Sequence, residues 1–176
     1  MWWCGAEDSP LSRPLVPAAD KPRFLCGNHD SLKPSAANRI VPSMPATILI
    51  VEDEILVALE MQSILEDDGY HVAGIAADLQ SALAYADGNL DLALVDLNLR
   101  DGLTGPEIGE RLANQHNAGV LFVTANPRVL GDGIAGTIGV LTKPTDETSL
   151  LSAVAFALRR MKGDPVEAPP SLVCFG

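Results

Sequence analysis

The chain is 176 residues long, 47% apolar, and carries a formal net charge of −11, which suits one domain with a real core plus tails. No run approaches about eighteen uninterrupted apolar residues, and Met1-Trp2-Trp3-Cys4 lacks a basic segment ahead of an apolar run; neither a membrane-spanning helix nor a signal peptide is expected, and the cytoplasm is the expected location. The charge is uneven, with five Lys/Arg against four Asp/Glu in residues 1–45 and seven against nineteen in residues 46–176, a balance that repels phosphate backbones, argues against nucleic acid as a partner, and favours a hard cation.

Residues 1–45 contain seven prolines and no sustained helical or strand period, so they are expected to be a disordered N-terminal extension. Met44 directly precedes the first strand signal and is an alternative start. The cysteines, Cys4, Cys26 and Cys174, are odd in number and lie outside the patterned region, which argues against a disulfide framework. Cys26-Gly27-Asn28-His29 has a spacing that metal sites use, but one Cys and one His do not fill a zinc shell.

From Thr47 the pattern changes. Thr47-Ile48-Leu49-Ile50-Val51 is a continuous apolar, β-branched run, expected as a strand buried on both faces of a parallel sheet. Good helix formers follow from Glu54 to about Asp67, with Gly69 as the stop. His71 to Ala76 is a weaker second strand. Asp78 is placed to cap a short helix whose apolar face is Leu79, Leu83 and Ala86. Leu92-Ala93-Leu94-Val95 is a third strand, and Gly102 to Gly105 a loop. Pro106 opens a helix with Ile108 and Leu112 on one face.

Val120-Leu121-Phe122-Val123 is a fourth strand. The segment from Pro127 to Gly136 is poor in helix formers and carries Gly131, Gly133 and Gly136, so a short or irregular helix is expected there. Ile138-Gly139-Val140-Leu141 is a fifth strand. Thr145 or Asp146 caps a last helix with an apolar face of Leu150, Val154, Ala157, Leu158 and Met161. The alternation predicts an α/β fold with a doubly wound parallel sheet and right-handed connections. The boundaries are an extension over 1–45, a domain over 46–162 and a flexible C-terminal tail over 163–176. The tail ends on the apolar Leu172-Val173-Cys174-Phe175, which either docks on the domain or a partner, or frays.

The polar residues that follow the strands carry the functional signal. Glu52 and Asp53 follow the first, Asp96 the third, Thr124 the fourth, and Lys143 lies just beyond the fifth. In a parallel sheet these ends open on one edge, where ligands bind in such folds. Taken singly, Asp53 or Thr124 is equally well a helix cap, and Lys143 a plain structural salt bridge. Taken together they bring three carboxylates, a hydroxyl and an ammonium to one place. Three close carboxylates do not all ionise cheaply, and Mg²⁺ relieves their repulsion. Such a set suits phosphoryl transfer to a carboxylate nucleophile.

With Ile48-Leu49-Ile50-Val51-Glu52-Asp53-Glu54, Leu94-Val95-Asp96-Leu97-Asn98-Leu99, Val123-Thr124-Ala125 and Leu141-Thr142-Lys143-Pro144, the stretch 46–162 resembles the receiver domain of two-component response regulators. The resemblance implies a flavodoxin-like sheet of order 2-1-3-4-5. It implies Asp96 as phospho-acceptor, Asp53 as a direct Mg²⁺ ligand, Glu52 as an acid holding the ion through water, and Asn98 as donor of a backbone carbonyl to it. Thr124 is implied as the switch hydroxyl, Lys143 as the contact to a phosphoryl oxygen, and Lys143–Pro144 as a cis peptide. Family members usually carry Tyr or Phe three residues before the lysine; Val140 stands there here. Phe122-Val123-Thr124-Ala125-Asn126-Pro127 is similar to the atypical alphaproteobacterial receivers that lack the aromatic switch, which implies a kinase of the HWE or a related type.

The expected function is a single-domain, cytoplasmic response regulator and not an enzyme, because only about a dozen residues follow the last helix. It would take a phosphoryl group from a sensor histidine kinase or histidine phosphotransfer protein and signal to a downstream protein, or act as a phosphate sink. Two alternatives stand beside it. One is a receiver-like interaction module that is never phosphorylated. The other is a hydrolase of the haloacid dehalogenase type, against which Asn98 speaks, because that class needs a second Asp there. His71 and His116 are expected to be surface groups.

Overall fold

The computed structural model describes residues 45–86 and 88–175. All but the last residue of the expected N-terminal extension, and with it Cys4 and the Cys26–His29 segment, lies outside the described residues. The elements are β1 (Thr47–Val51), α1 (Ile55–Asp67), β2 (His71–Ala76), α2 (Leu79–Ala86), β3 (Leu92–Val95), α3 (Gly105–His116), β4 (Gly119–Thr124), a single 3₁₀ turn (Pro127–Leu130), β5 (Gly139–Thr142), α4 (Glu147–Met161) and β6 (Leu172–Cys174).

The sheet has the order β2-β1-β3-β4-β5-β6. Its first five strands are parallel neighbours in the expected order, and β6 runs antiparallel on the outer edge of β5. Every residue of β3 and β4 is buried, as are four of the five in β1. Burial on both faces explains why these strands are continuous apolar runs and not alternating ones.

Alternate residues feed two cores. Ile48, Ile50, Leu92, Leu94, Leu121 and Val123 pack under α1 and α4. Leu49, Val51, Ala93, Val95, Val120 and Phe122 pack under α2 and α3. In α4 the buried residues Leu150, Ala153, Val154, Phe156 and Ala157 recur at helical spacing, and each large one contributes roughly 1.5–3 kcal/mol by leaving water. Asp146 caps this helix by accepting from the Ser149 N–H at 2.8 Å. Asp78 does the same for α2, accepting from the Ser81 N–H at 2.8 Å; hydrogen bonds from Ser81 and the Arg100 guanidinium hold its carboxyl down at about 2.

Between β4 and β5 the glycine-rich segment makes only the 3₁₀ turn, in line with its poverty in helix formers. The flexible tail expected over 163–176 needs correction at Leu172–Phe175. As the last parallel strand β5 has a free outer edge, and β6 pairs with it, while Phe175 joins the core that the short 3₁₀ turn leaves under α3. Leu172 and Phe175 are both buried. Among the described residues no helix is long and apolar enough to cross a membrane.

Candidate functional site

The carboxyl ends of β1, β3, β4 and β5 deliver the side chains. The Asp96 N–H donates to the Val51 carbonyl at 2.9 Å, and the Lys143 N–H to the Thr124 carbonyl at 2.9 Å. The parallel ladder therefore runs to the positions where Glu52, Asp96, Thr124 and Lys143 leave the sheet.

Lys143 is the hub. Its Nζ donates to Glu52 Oε2 at 2.5 Å and to Asp96 Oδ2 at 2.8 Å. The other Asp96 oxygen accepts from the Leu97 N–H at 2.6 Å, and Glu52 Oε1 accepts from the Glu54 N–H at 3.2 Å. Glu52 is 1% exposed. Burial pushes its carboxyl above its ordinary value, although the Lys143 ammonium pulls the other way. Burial lowers the Lys143 ammonium, but hydrogen bonds and charge from Asp96 and Glu52 outweigh it and leave the group raised.

Asp53 stands on the solvent side. Carboxylate oxygens of Glu52, Asp53 and Asp96 all lie within 4.8 Å of one another. A cleft of about 290 Å³ opens above them, lined by Asp53, Asp96, Asn98, Thr124 and Lys143 among others. Glu52 lies beneath it. Thr124 is fully buried, and its Oγ1 accepts from the Asn126 N–H at 3.3 Å, so the hydroxyl proton is not spent in that bond. The Lys143–Pro144 peptide is cis. All six residues singled out from sequence thus meet in one cleft or directly below it, whereas His71 is exposed on the first residue of β2.

One residue that shapes the site had no sequence signal. Gly105, the first of α3, lies against the chain that carries Asp96; a Cβ there would fall 2.1 Å from the Asp96 carbonyl oxygen and 2.5 Å from Leu97 Cα. The Gly105 N–H also donates to the Leu97 carbonyl at 3.1 Å. A glycine in a loop is usually taken for turn chemistry, and a contact nine residues away leaves no local pattern.

The donor set suits a hard divalent cation. Three carboxylates supply oxygen only, with an open side for water, which is what Mg²⁺ takes. Among the described residues no His or Cys lines the cleft to favour a softer metal.

Comparison with known proteins agrees with this fold. Residues 48–155 match the family model described as response regulator receiver domain. The chain is 29% identical over 126 residues to the transcriptional regulatory protein PdtaR of Mycobacterium tuberculosis, covering 68% of this chain and 60% of that one. It is 29% identical to the phyllosphere-induced regulator PhyR of Methylorubrum extorquens, covering 70% and 47%. It thus spans about half to three-fifths of the length of these curated relatives.

Among solved structures, the receiver domain of PhyR from Erythrobacter litoralis superposes with a TM-score of 0.57 at 27% identity, covering 71% of this chain and 98% of that one. A CheY-like receiver domain from Methanospirillum hungatei gives 0.59 at 27% identity, covering 68% and 98%.

Proposed function

We propose, from the premise that this chain belongs to the response regulator receiver domain family, that Asp96 accepts a phosphoryl group from a histidine kinase or a histidine phosphotransfer protein. The observation that carries this reading is the convergence of Lys143 on Glu52 and Asp96, with the Asp53 carboxylate within 4.8 Å, at the mouth of a cleft.

In the step itself, an Asp96 carboxylate oxygen forms a bond to phosphorus as the bond from phosphorus to the donor imidazole nitrogen breaks, and the electron pair stays on the imidazole. Lys143 then exchanges part of its contact with Asp96 for a phosphoryl oxygen, and neutralises charge in the low-dielectric pocket. The Thr124 hydroxyl donates to another phosphoryl oxygen. Glu52, Asp53, Asp96 and the backbone carbonyl of Asn98 would hold Mg²⁺, which when bound supplies positive charge to the phosphoryl group. The Asp96 carboxylate, with one negative charge, becomes an acyl phosphate with about two, and an adjacent bistable segment must read this change. Residues 125–136 next to Thr124 are that segment, and they lack a regular helix beyond the 3₁₀ turn.

The chain works as a signalling module without sustained turnover, and its output is contact with a downstream protein or removal of phosphoryl groups as a sink. PhyR of Bartonella quintana, one of the structural relatives, is an anti-anti-sigma factor, an output of the protein-contact kind. Ile55, Leu56 and Leu59 of α1 are exposed, and α1 follows directly after Glu52, Asp53 and Glu54, which supports this apolar surface as the contact for the phosphoryl donor.

The test is phosphoryl labelling by acetyl phosphate with Mg²⁺, read by intact mass. The wild-type chain is expected to gain one phosphoryl group and the Asp96→Asn chain none. Undiminished labelling of Asp96→Asn refutes the assignment. An unlabelled wild-type chain favours the interaction module that Lys143 holds in a single state through its bonds to Glu52 and Asp96.

A further inference from the structure

The backbone carbonyl of Asn98 is aimed by the turn that follows it. A peptide group is planar, so the Asn98 carbonyl and the Leu99 N–H point in opposite directions and rotate together. The Leu99 N–H donates to the Gly102 carbonyl at 2.8 Å, and the Gly102 N–H returns a bond to the Leu99 carbonyl at 2.8 Å. These two bonds close a tight turn with Arg100 and Asp101 at its tip, and Gly102 supplies the positive φ of 108° found there. Leu97 and Leu99 are buried on either side of Asn98. Their burial holds the stretch in place, but the hydrophobic effect is non-directional, so the direction of the carbonyl is left to the turn.

The tip of the turn is clasped to the start of α2. Asp101 Oδ2 accepts from the Leu79 N–H at 3.0 Å, and Asp101 Oδ1 accepts from the Thr104 hydroxyl at 2.6 Å. The Leu79 N–H is one of the donors that a helix start leaves without an intrahelical partner, and its acceptor here comes from a residue 22 positions later. The Arg100 N–H donates to the Ala77 carbonyl at 3.2 Å, and the Arg100 guanidinium pairs with Asp78. The preceding carbonyl, that of Ala76, accepts from the Glu52 N–H at 2.8 Å. Residues 76–79 therefore hold the loop of Glu52 and Asp53 on one side and the turn after Asn98 on the other.

We infer that Asp101 is a positioning residue of the cation site: by clasping the turn to α2 it fixes the Asn98 carbonyl relative to Asp53 and Asp96. The inference rests on the reading of Glu52, Asp53, Asp96 and Asn98 as the residues that hold Mg²⁺. Asp101 is not among the residues that line the cleft, so it acts through the turn and not by touching the ion. Mg²⁺ demands near-octahedral geometry, and a ligand free to swing therefore binds it poorly. Groups that orient a metal ligand from behind matter for this reason.

Mg²⁺ is titrated into the full-length wild-type, Asp101→Ala and Asp101→Asn chains, and its dissociation constant is read from the amide resonances of Asn98 and Leu99 in the folded molecules. Asp101→Ala is expected to bind the ion about tenfold more weakly or worse, the effect of losing a group that orients a ligand. Asp101→Asn is expected to restore binding, because its amide oxygen takes the Leu79 N–H and its amide nitrogen donates to the Thr104 hydroxyl oxygen. Both variants lose the carboxylate charge, so the pair separates positioning from electrostatics. Unchanged affinity in Asp101→Ala assigns Asp101 to the stability of α2 alone, and equal weakening in the two variants assigns it to charge; each result overturns the inference. A wild-type chain without a saturable response to Mg²⁺ at Asn98 overturns the cation site itself, and the inference with it, so the two failures are told apart.

A readout on the wild-type chain does not depend on the folding of either variant. Coupling between two events is reciprocal, so a clasp that favours the ion is itself favoured by the ion. Saturating Mg²⁺ is expected to slow exchange of the Leu79 amide with solvent by about tenfold, the same coupling seen from the other side. The Gly163 amide, which donates to the Arg160 carbonyl at 3.0 Å past the last residue of α4, is expected to keep its rate. Exchange at Leu79 that ignores Mg²⁺, or that slows no more than at Gly163, overturns the inference.

Discussion

Lys143 is the residue on which the electrostatics of the cleft turn. Glu52 is almost wholly buried, and its nearest cation is the Lys143 ammonium. Removing one partner of a buried ion pair leaves the other charge uncompensated, which costs more than the pair itself contributes. Lys143→Met is therefore expected to lower stability by about 3 kcal/mol at neutral pH. The pH dependence follows from Glu52, whose carboxyl burial already holds above its ordinary 4.5 against the pull of Lys143. A group raised in the fold takes up protons on folding. The stability it brings is complete below 4.5 and is lost as the pH rises through its folded value. Without Lys143 that rise is larger, so the deficit of Lys143→Met narrows as the pH falls toward 4.5. Urea unfolding of both chains at pH 7 and pH 5 measures it, and a deficit that is constant or grows on acidification contradicts the assigned pairing. The raised Lys143 ammonium has the same sign at the other end of the scale. Its contribution is complete below 10.5 and is lost as the pH climbs through its folded value.

At the level of elements, α3 and the Asp96 loop approach more closely than a side chain allows. Gly105→Ala places a methyl group 2.1 Å from the Asp96 carbonyl oxygen, and the obstacle is backbone, so neither side yields cheaply. Overpacking of this kind costs about 1–3 kcal/mol. The start of α3 must shift, and the Leu97 N–H that holds Asp96 Oδ1 shifts with it. The expected outcome is a lower thermal midpoint together with slower labelling by acetyl phosphate; a chain that keeps both removes Gly105 from the site. This contact also marks where sequence stops being informative. The strands β1, β3 and β4 were legible because burial on both faces writes itself as unbroken apolar runs, and Glu52, Asp53, Asp96 and Thr124 were legible because each follows such a run directly. The weak helix between β4 and β5 was legible as Gly131, Gly133 and Gly136. Gly105 and β6 were not, because both depend on partners distant in the fold. Leu172–Phe175 follows a proline-containing stretch and looks like a tail until the bare β5 edge is known.

For the whole molecule the dominant quantity is charge. The chain carries −11, so any cation stabilises it to some degree by relieving self-repulsion. A specific ion at the Asp96 cleft must be separated from that general effect. In a background of about 0.15 M monovalent salt the screening length is about 8 Å, and exposed charges farther apart than that are largely screened already. Millimolar Mg²⁺ adds little further screening under these conditions, whereas occupation of a site stabilises the folded state by mass action. At ten times its dissociation constant that amounts to about 1.4 kcal/mol, or a shift of about 3–6 °C in the thermal midpoint of a domain of this size. The wild-type chain is expected to show this shift. Asp53→Asn, which removes the exposed carboxylate of the cluster while Lys143 keeps Glu52 and Asp96, is expected to lose most of it while keeping its response to monovalent salt. Equal Mg²⁺ shifts in the two chains would show that the ion acts on the overall charge and not at the cleft.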